Sequence, residues 1–167
     1  MANPMYGQNK FDNAVDNSTG SIVHFTPSAD GTAIADGESV VLASSDAGNR
    51  YFVNISANTA SFRLPAAAAN KGMEVHFHLD ITSDTEASKD LDIFTDGVAE
   101  FIMGTCLDAG ATHDTTAADD LLRLDTSAGE ACAGDRVSLV CDGLHWYVTE
   151  AVALAANAFV SGTATRA

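Results

Sequence analysis

The strict alternation of apolar and polar side chains over residues 73–81 is the feature that most constrains the fold of this chain. The apolar members are Val75, Phe77, Leu79 and Ile81, and the polar ones are Glu74, His76, His78 and Asp80. Successive side chains of a β-strand point to opposite faces, so this period of two predicts a strand that is buried on one face only.

Shorter runs of similar character fill most of the remaining chain and are separated by Gly, Asn and Asp residues, which favour turns. We predict strands at residues 21–25, 38–43, 50–55, 60–64, 73–81, 91–94, 98–103, 120–125, 136–141 and 144–149. Asp96-Gly97 and Asp142-Gly143 predict two hairpins. Many short strands of this kind predict an all-β fold, an antiparallel β-sandwich or jelly-roll-like domain.

The chain divides into three predicted segments. Residues 1–20 are polar and rich in turn residues and show neither strand nor helix periodicity, so we predict an extended N-terminal arm that does not fold alone. Residues 21–150 form the β-sandwich domain. Residues 151–167 are rich in alanine and form a C-terminal tail or the last strand. Within the domain we predict one helical turn at residues 65–70 and a loop or short helix at residues 109–118.

The charge of the chain excludes one large class of partners. Eight Lys and Arg residues stand against 23 Asp and Glu, which gives a net charge of −15. Phosphate backbones are bound through Lys and Arg, so we expect no nucleic-acid partner. We also find no apolar run that would span a bilayer and expect no membrane partner. The three cysteines and the lack of a signal sequence indicate synthesis in a reducing compartment.

The pair His76 and His78 has the spacing of a metal site, because side chains two apart on a strand project to one side. Cupins use this spacing on a jelly roll, with a glycine six residues before the first histidine and a glutamate four or five residues after the second. Asn70, Thr82 and Ser83 occupy those positions here. We therefore interpret the pair as part of a polar strand face at solvent or at a subunit interface, and keep a cupin-like metal-binding protein as the weaker alternative.

No other motif predicts catalysis or a cofactor. A Gly-x-Ser-x-Gly nucleophile motif is absent, and we interpret Asp119-Asp120 and the pair His113 and Asp114 as solvated loop residues. The Asp-rich segments at residues 80–96 and 108–125 leave an incidental Ca²⁺ site as an alternative. Trp146, the only tryptophan, is expected to anchor the core or an interface. We predict a protein that is not an enzyme and that binds no cofactor or metal.

Several short segments resemble one protein family. They are FRLPAAA at residues 62–68, GDRVSLV at 134–140, DGLHWYV at 142–148 and NPMYGQNK at 3–10. The chain resembles the β-sandwich head decoration (cement) proteins of tailed bacteriophages, and similar segments occur in phage tail and fibre modules. A different virion structural module, such as a tail or fibre domain, is therefore the main alternative.

The resemblance implies a homotrimer that is made in the host cytoplasm and sits on the outer surface of the virion capsid. Its partners would be the major capsid protein and its own copies. The arm would reach across neighbouring capsid subunits and stabilise the shell. The residues expected to anchor the arm are Met5, Tyr6, Lys10, Phe11 and Val15. The residues expected at a subunit interface are His76, His78 and Trp146.

Overall fold

The computed structural model describes residues 20–27, 39–56, 58–81, 89–126 and 131–164, and these residues are organised as strands with two 3₁₀ turns. The strands are β1 (Ile22–Phe25), β2 (Ser39–Val41), β3 (Arg50–Asn54), β4 (Ala60–Arg63), β5 (Glu74–Ile81), β6 (Leu91–Phe94), β7 (Ile102–Met103), β8 (Thr105–Asp108), β9 (Ala111–Asp114), β10 (Leu121–Leu124), β11 (Arg136–Cys141), β12 (Trp146–Ala153) and β13 (Phe159–Gly162). The 3₁₀ turns are Ser44–Asp46 and Ala67–Ala69. The predicted all-β fold class is confirmed.

The strands form two sheets. The eight-stranded sheet has the order β1-β3-β5-β11-β12-β8-β9, with β7 paired to β12, and the five-stranded sheet has the order β13-β10-β6-β4-β2. Aromatic rings from both sheets meet between them: Phe62 of β4 lies 5.1 Å from Tyr51 of β3 and 5.0 Å from Phe77 of β5, measured between ring centroids. These three rings are buried and hold the inner faces of the two sheets together.

The direction of the strands differs from the predicted antiparallel arrangement in the first half of the chain. Strands β1, β3 and β5 are parallel neighbours in one sheet, and β2, β4 and β6 are parallel neighbours in the other. The chain thus crosses from sheet to sheet after each strand and returns in the same direction. A jelly roll would require antiparallel neighbours here. Alternation of side chains determines which face of a strand is buried but not the direction of the neighbouring strand, so this winding has no local signature in the sequence.

Two local predictions also need correction. The Asp96-Gly97 hairpin is not formed, because β6 pairs with β4 and β10 while β7 belongs to the other sheet. Residues 109–118 were predicted as a loop or short helix, but residues 111–114 form strand β9, which pairs with β8 in an antiparallel hairpin, while residues 115–118 do lie outside the strands. The turn of this hairpin places both Ala109 (φ 47°) and Gly110 (φ 86°) in the left-handed region. Two positive φ values match the twist of a two-residue hairpin, but alanine rarely adopts them and does not signal such a turn.

The remaining elements agree with the sequence. The Asp142-Gly143 hairpin is confirmed by the antiparallel pair β11 and β12. The C-terminal segment supplies a last strand, since β13 pairs with β10. No helix among the residues that the structure describes has the length and apolar character needed to cross a membrane. The predicted arm residues Met5, Tyr6, Lys10, Phe11 and Val15 lie outside the described residues.

Candidate functional site

The outer face of the eight-stranded sheet gathers side chains from four strands into one row. Cα pairing aligns His24 of β1 with Phe52 of β3, Phe52 with His78 of β5, and His78 with Arg136 of β11. Each of these residues alternates with a core residue on its own strand, so the four side chains point away from the core. The row crosses the sheet at right angles to the strands. The parallel register of β1, β3 and β5 places His24, Phe52 and His78 side by side.

The three rings of this row stack on one another. The His24 and Phe52 centroids are 5.4 Å apart with an interplanar angle of 27°, and those of Phe52 and His78 are 5.0 Å apart with an angle of 12°. The stacking uses the inner ring faces, so the row presents mainly ring edges to solvent. Ring edges carry partial positive charge and attract negatively polarised groups such as carboxylate and carbonyl oxygens.

A second row runs beside the first. Register aligns Arg50 of β3 with His76 of β5, and His76 with Ser138 of β11. The His76 Nδ1 atom is hydrogen-bonded to the Ser138 hydroxyl oxygen at 2.9 Å. We call the surface made by His24, Arg50, Phe52, His76, His78 and Arg136 the histidine face.

The two arginines of the histidine face differ in their partners. Arg136 forms an ion pair with Glu150, with the Nε and Oε1 atoms 2.7 Å apart. Arg50 is exposed and makes no ion pair with any of the residues that the structure describes. Arg63 and Arg123 both lie beside carboxylates. In a chain with so many acidic residues, an arginine left free on a sheet face is available to a partner.

Both half-buried histidines of β5 favour the neutral state. Burial lowers the pKa of His76, and the positive charge of Arg50 lowers it further against the opposing effect of Glu74. Burial likewise lowers the pKa of His78, with added contributions from Arg50 and His76. The two imidazoles are therefore uncharged at neutral pH, and the permanent cations of the histidine face are its arginines.

The sequence singled out His76 and His78 from this surface but not the other members. Alternation within residues 21–25 and 50–55 would have placed His24 and Phe52 on the polar face of their strands. Their union with β5 depends on parallel register, which no local pattern encodes. Trp146, in contrast, is fully buried in the core. Of its two predicted roles the structure supports the core anchor, and its side chain offers no surface to another subunit.

The metal alternative finds no geometric support in the part of the chain that the structure describes, where no three His, Cys, Asp or Glu side chains are grouped as a metal site. His76 is engaged with Ser138 through Nδ1, and the ring of His78 stacks on Phe52. Neither histidine meets a third ligand on this face.

A Ser–His–Asp arrangement does occur elsewhere, at the edges of the two sheets. The Ser161 hydroxyl of β13 donates to Asp119 Oδ2 at 2.9 Å, and His113 Nε2 of β9 lies 3.0 Å from the Ser161 oxygen. A hydroxyl has one proton to donate, so the His113 Nε2–H must donate to Ser161. In a nucleophilic triad the imidazole accepts the serine proton. The order here is reversed, and the three residues act as a structural link between β9 and β13.

Comparison of the chain with protein-family models, with curated proteins and with solved structures finds no match.

Proposed function

We propose that this chain is a non-enzymatic decoration protein of a viral capsid, which binds the outer surface of the head and stabilises the shell by bridging major capsid protein subunits. The resemblance of its short segments to phage head decoration proteins supports this proposal. The structural observation that carries it is the histidine face, a sheet surface on which stacked rings and two arginines lie beside the carboxylates of Asp80 and Glu150.

The histidine face has the properties of a protein-binding surface. Its central residues stand on strands β3, β5 and β11, which have paired neighbours on both sides and hold the side chains in fixed positions. Aromatic residues and arginine are enriched in protein interfaces because they bury large areas with little loss of side-chain entropy. Ile22, 67% exposed and aligned with Arg50, extends the surface with an apolar side chain at its margin.

The remaining parts of the proposal come from the resemblance. A homotrimer would present three copies of the histidine face and three N-terminal arms to the shell. Several weak contacts on one rigid body bind far more tightly than any one of them alone. His76 and His78 lie on the exposed side of the sheet, where contact between subunits or with the capsid protein is possible.

The experiment that tests this proposal is quantitative mass spectrometry of particles purified from the source of the chain. We expect a ratio near one copy per copy of major capsid protein, which is what a lattice-wide decoration protein requires. A handful of copies per particle would instead assign the chain to a tail, fibre or vertex. Absence from all particles would overturn the proposal of a virion protein.

A further inference from the structure

A cavity of about 290 Å³ opens between the two sheets. None of its lining residues belongs to the histidine face. Its walls come from β9, the edge strand of the eight-stranded sheet, and from the segment that leads into β13, the edge strand of the other. The polar lining residues are Asp108, Thr112, His113 and Asn157. Nothing in the fold requires a cavity here, since neighbouring edge strands are commonly closed by side-chain packing.

The Asp108 carboxylate is the one charged acid in the wall of this cavity. It is only 5% exposed, and its Oδ1 atom accepts a hydrogen bond from the Ala158 backbone N–H at 3.2 Å. Its Oδ2 atom has no hydrogen-bond partner among the residues that the structure describes. The Oδ2 atom is not one of the buried polar atoms that lack a partner, so it stays open to the cavity. A carboxylate oxygen in this position can accept a strong hydrogen bond from a cationic donor.

His113 adds a second acceptor to the cavity. Its Nε2–H donates to Ser161, because the Ser161 proton is already donated to Asp119. In the neutral imidazole the other ring nitrogen, Nδ1, is then an acceptor, and among the described residues it has no partner. Asn157 adds a side-chain amide to the wall of the same cavity, and the amide oxygen can accept a hydrogen bond. The polar end of the cavity is thus rich in acceptors and carries a negative charge.

The rest of the wall is apolar. Phe159 is buried, while Val160 and Ala156 are exposed at the opening of the cavity. Lysine and arginine side chains combine a methylene stem, which packs on apolar surface, with a cationic group that donates several hydrogen bonds. An acidic end with an apolar wall matches that composition.

We propose that this cavity is a binding site for an ammonium or guanidinium group, supplied by a lysine or arginine side chain of a partner protein. The cation would donate to Asp108 Oδ2 and His113 Nδ1, and its stem would lie along Phe159 and Val160. A cavity of this volume holds one such side chain and excludes a folded segment.

This inference rests on the proposed function only for the source of the side chain, which would be a capsid subunit. The site itself is defined by Asp108, His113 and the cavity between the sheets. Binding of the blocked amino acids described below, by a chain that is absent from particles, would leave the site standing and remove the proposed function. A chain that is present on particles but does not bind the blocked amino acids would support the proposed function and remove the site.

The test is a titration of the full chain, followed by NMR of its backbone amides in about 150 mM salt, which screens the general acidity of the surface. The probes are the blocked amino acids N-acetyl-lysine methylamide and N-acetyl-arginine methylamide. We expect saturable shifts confined to residues 108–113 and 156–160, with Kd values on the order of millimolar for a single side chain. N-acetyl-glutamate methylamide should cause none. Equal shifts with the glutamate probe, or no shifts with any probe, would overturn the proposal.

Two variants perturb the site in different ways. Asp108→Asn keeps the acceptor for the Ala158 N–H but removes the charge, and should weaken binding of both cationic probes about tenfold or more. Ala156→Phe should fill the cavity and abolish binding without a change of charge. Asp114→Asn is the matched control, because Asp114 is an exposed acid on β9 whose Oδ1 atom accepts from Thr105 outside the cavity. Unchanged binding by Asp108→Asn, or equal loss in Asp114→Asn, would contradict the site.

A last comparison identifies the source of the cation. Free L-lysine and L-arginine carry an α-ammonium and an α-carboxylate group that the blocked forms lack. These opposite charges largely offset each other, so we expect the free amino acids to bind no more tightly than the blocked forms. Binding at least tenfold tighter than the blocked forms would indicate a free amino acid as ligand. That result would overturn the assignment to a protein side chain.

Discussion

His76 and His78 show how the surroundings of one residue set its chemistry. Both have a lowered pKa in the folded chain, because burial disfavours the charged imidazole and Arg50 adds repulsion. In the unfolded chain both recover the ordinary value of 6.5. The unfolded state therefore binds protons more readily as the pH falls through 6.5. The two histidines therefore lower the free energy of unfolding below pH 6.5 and have no effect on it well above that pH.

We predict that the thermal midpoint of unfolding falls between pH 7.5 and pH 5.5, over and above the general effect of other groups. The double variant His76→Gln/His78→Gln removes both titrating groups, so its midpoint should change less over the same interval. Differential scanning calorimetry of the two proteins at matched ionic strength makes the comparison. If the thermal midpoint falls by the same amount in the wild type and in the double variant, these histidines do not cause the fall.

At the scale of elements, the five-stranded sheet depends on a charged cluster on the face away from the core. Arg123 of β10 binds Asp92 of β6 through two hydrogen bonds, Nε to Oδ1 at 2.7 Å and Nη2 to Oδ2 at 2.9 Å. Its Nη1 atom lies 3.3 Å from Asp90 Oδ2. Both aspartates are buried, and burial raises the pKa of Asp90 while Arg123 opposes that rise. The cluster therefore fixes β10 against β6, with one guanidinium group shared by two buried carboxylates.

We predict that Arg123→Ala destabilises the fold by about 2–4 kcal/mol, because it leaves two buried carboxylates without their cation. Arg136→Ala is the control, since Arg136 pairs with Glu150 at the surface and such pairs contribute about 0–1 kcal/mol. Urea unfolding of the two variants measures both free energies. Similar losses for the two variants would show that burial of the Asp90 and Asp92 carboxylates does not determine the cost.

The elements also show what local sequence can and cannot determine. β5 and β11 were predicted within a residue of their bounds. β5 alternates strictly along its length, and β11 is an apolar-rich run between the turn residues Gly134-Asp135 and Asp142-Gly143. The β8–β9 hairpin was missed because Ala109 occupies a left-handed position that glycine or asparagine usually signals. The Asp96-Gly97 prediction failed because a turn sequence permits a hairpin but does not choose the partner strand.

The candidate sites follow the same division. His76 and His78 were found because they share one strand, where a period of two is visible. Arg50 joins them only through parallel register between β3 and β5. Ser161 meets His113 across 48 positions of sequence, at a junction between two sheets. Contacts that depend on strand order and on the packing of sheets have no local signature, so these sites needed the structure.

At the scale of the whole molecule, the arrangement of charge separates one of the four described arginines from the other three. Arg63, Arg123 and Arg136 each lie beside a carboxylate, while Arg50 on the histidine face does not pair within the described residues. A partner that docks there would meet an unpaired cation and positively polarised ring edges. The histidine face would thus favour a partner surface that presents carboxylate or carbonyl oxygens.

We predict that Arg50→Glu lowers the occupancy of this chain on capsid shells about tenfold or more at physiological salt, since it reverses the free charge of the histidine face. Its own stability should change by no more than about 0.5 kcal/mol, because Arg50 is exposed and breaks no ion pair. Lys71→Glu makes the same charge change at an exposed position outside the histidine face and serves as the control. Equal occupancy for Arg50→Glu and the wild type would exclude this face as the contact.

The proposed arm provides the second contact, and its removal tests how the two share the binding. We predict that a chain lacking residues 1–20 keeps its fold and its subunit association but fails to decorate shells, because the arms would provide the reach and the avidity that span neighbouring capsid subunits. The measurement is the amount of each chain that sediments with undecorated shells, beside circular dichroism and the mass in solution. Full occupancy by the truncated chain would remove the arm from the proposal. If Arg50→Glu then abolished binding of that truncated chain, the histidine face alone would hold it on the shell.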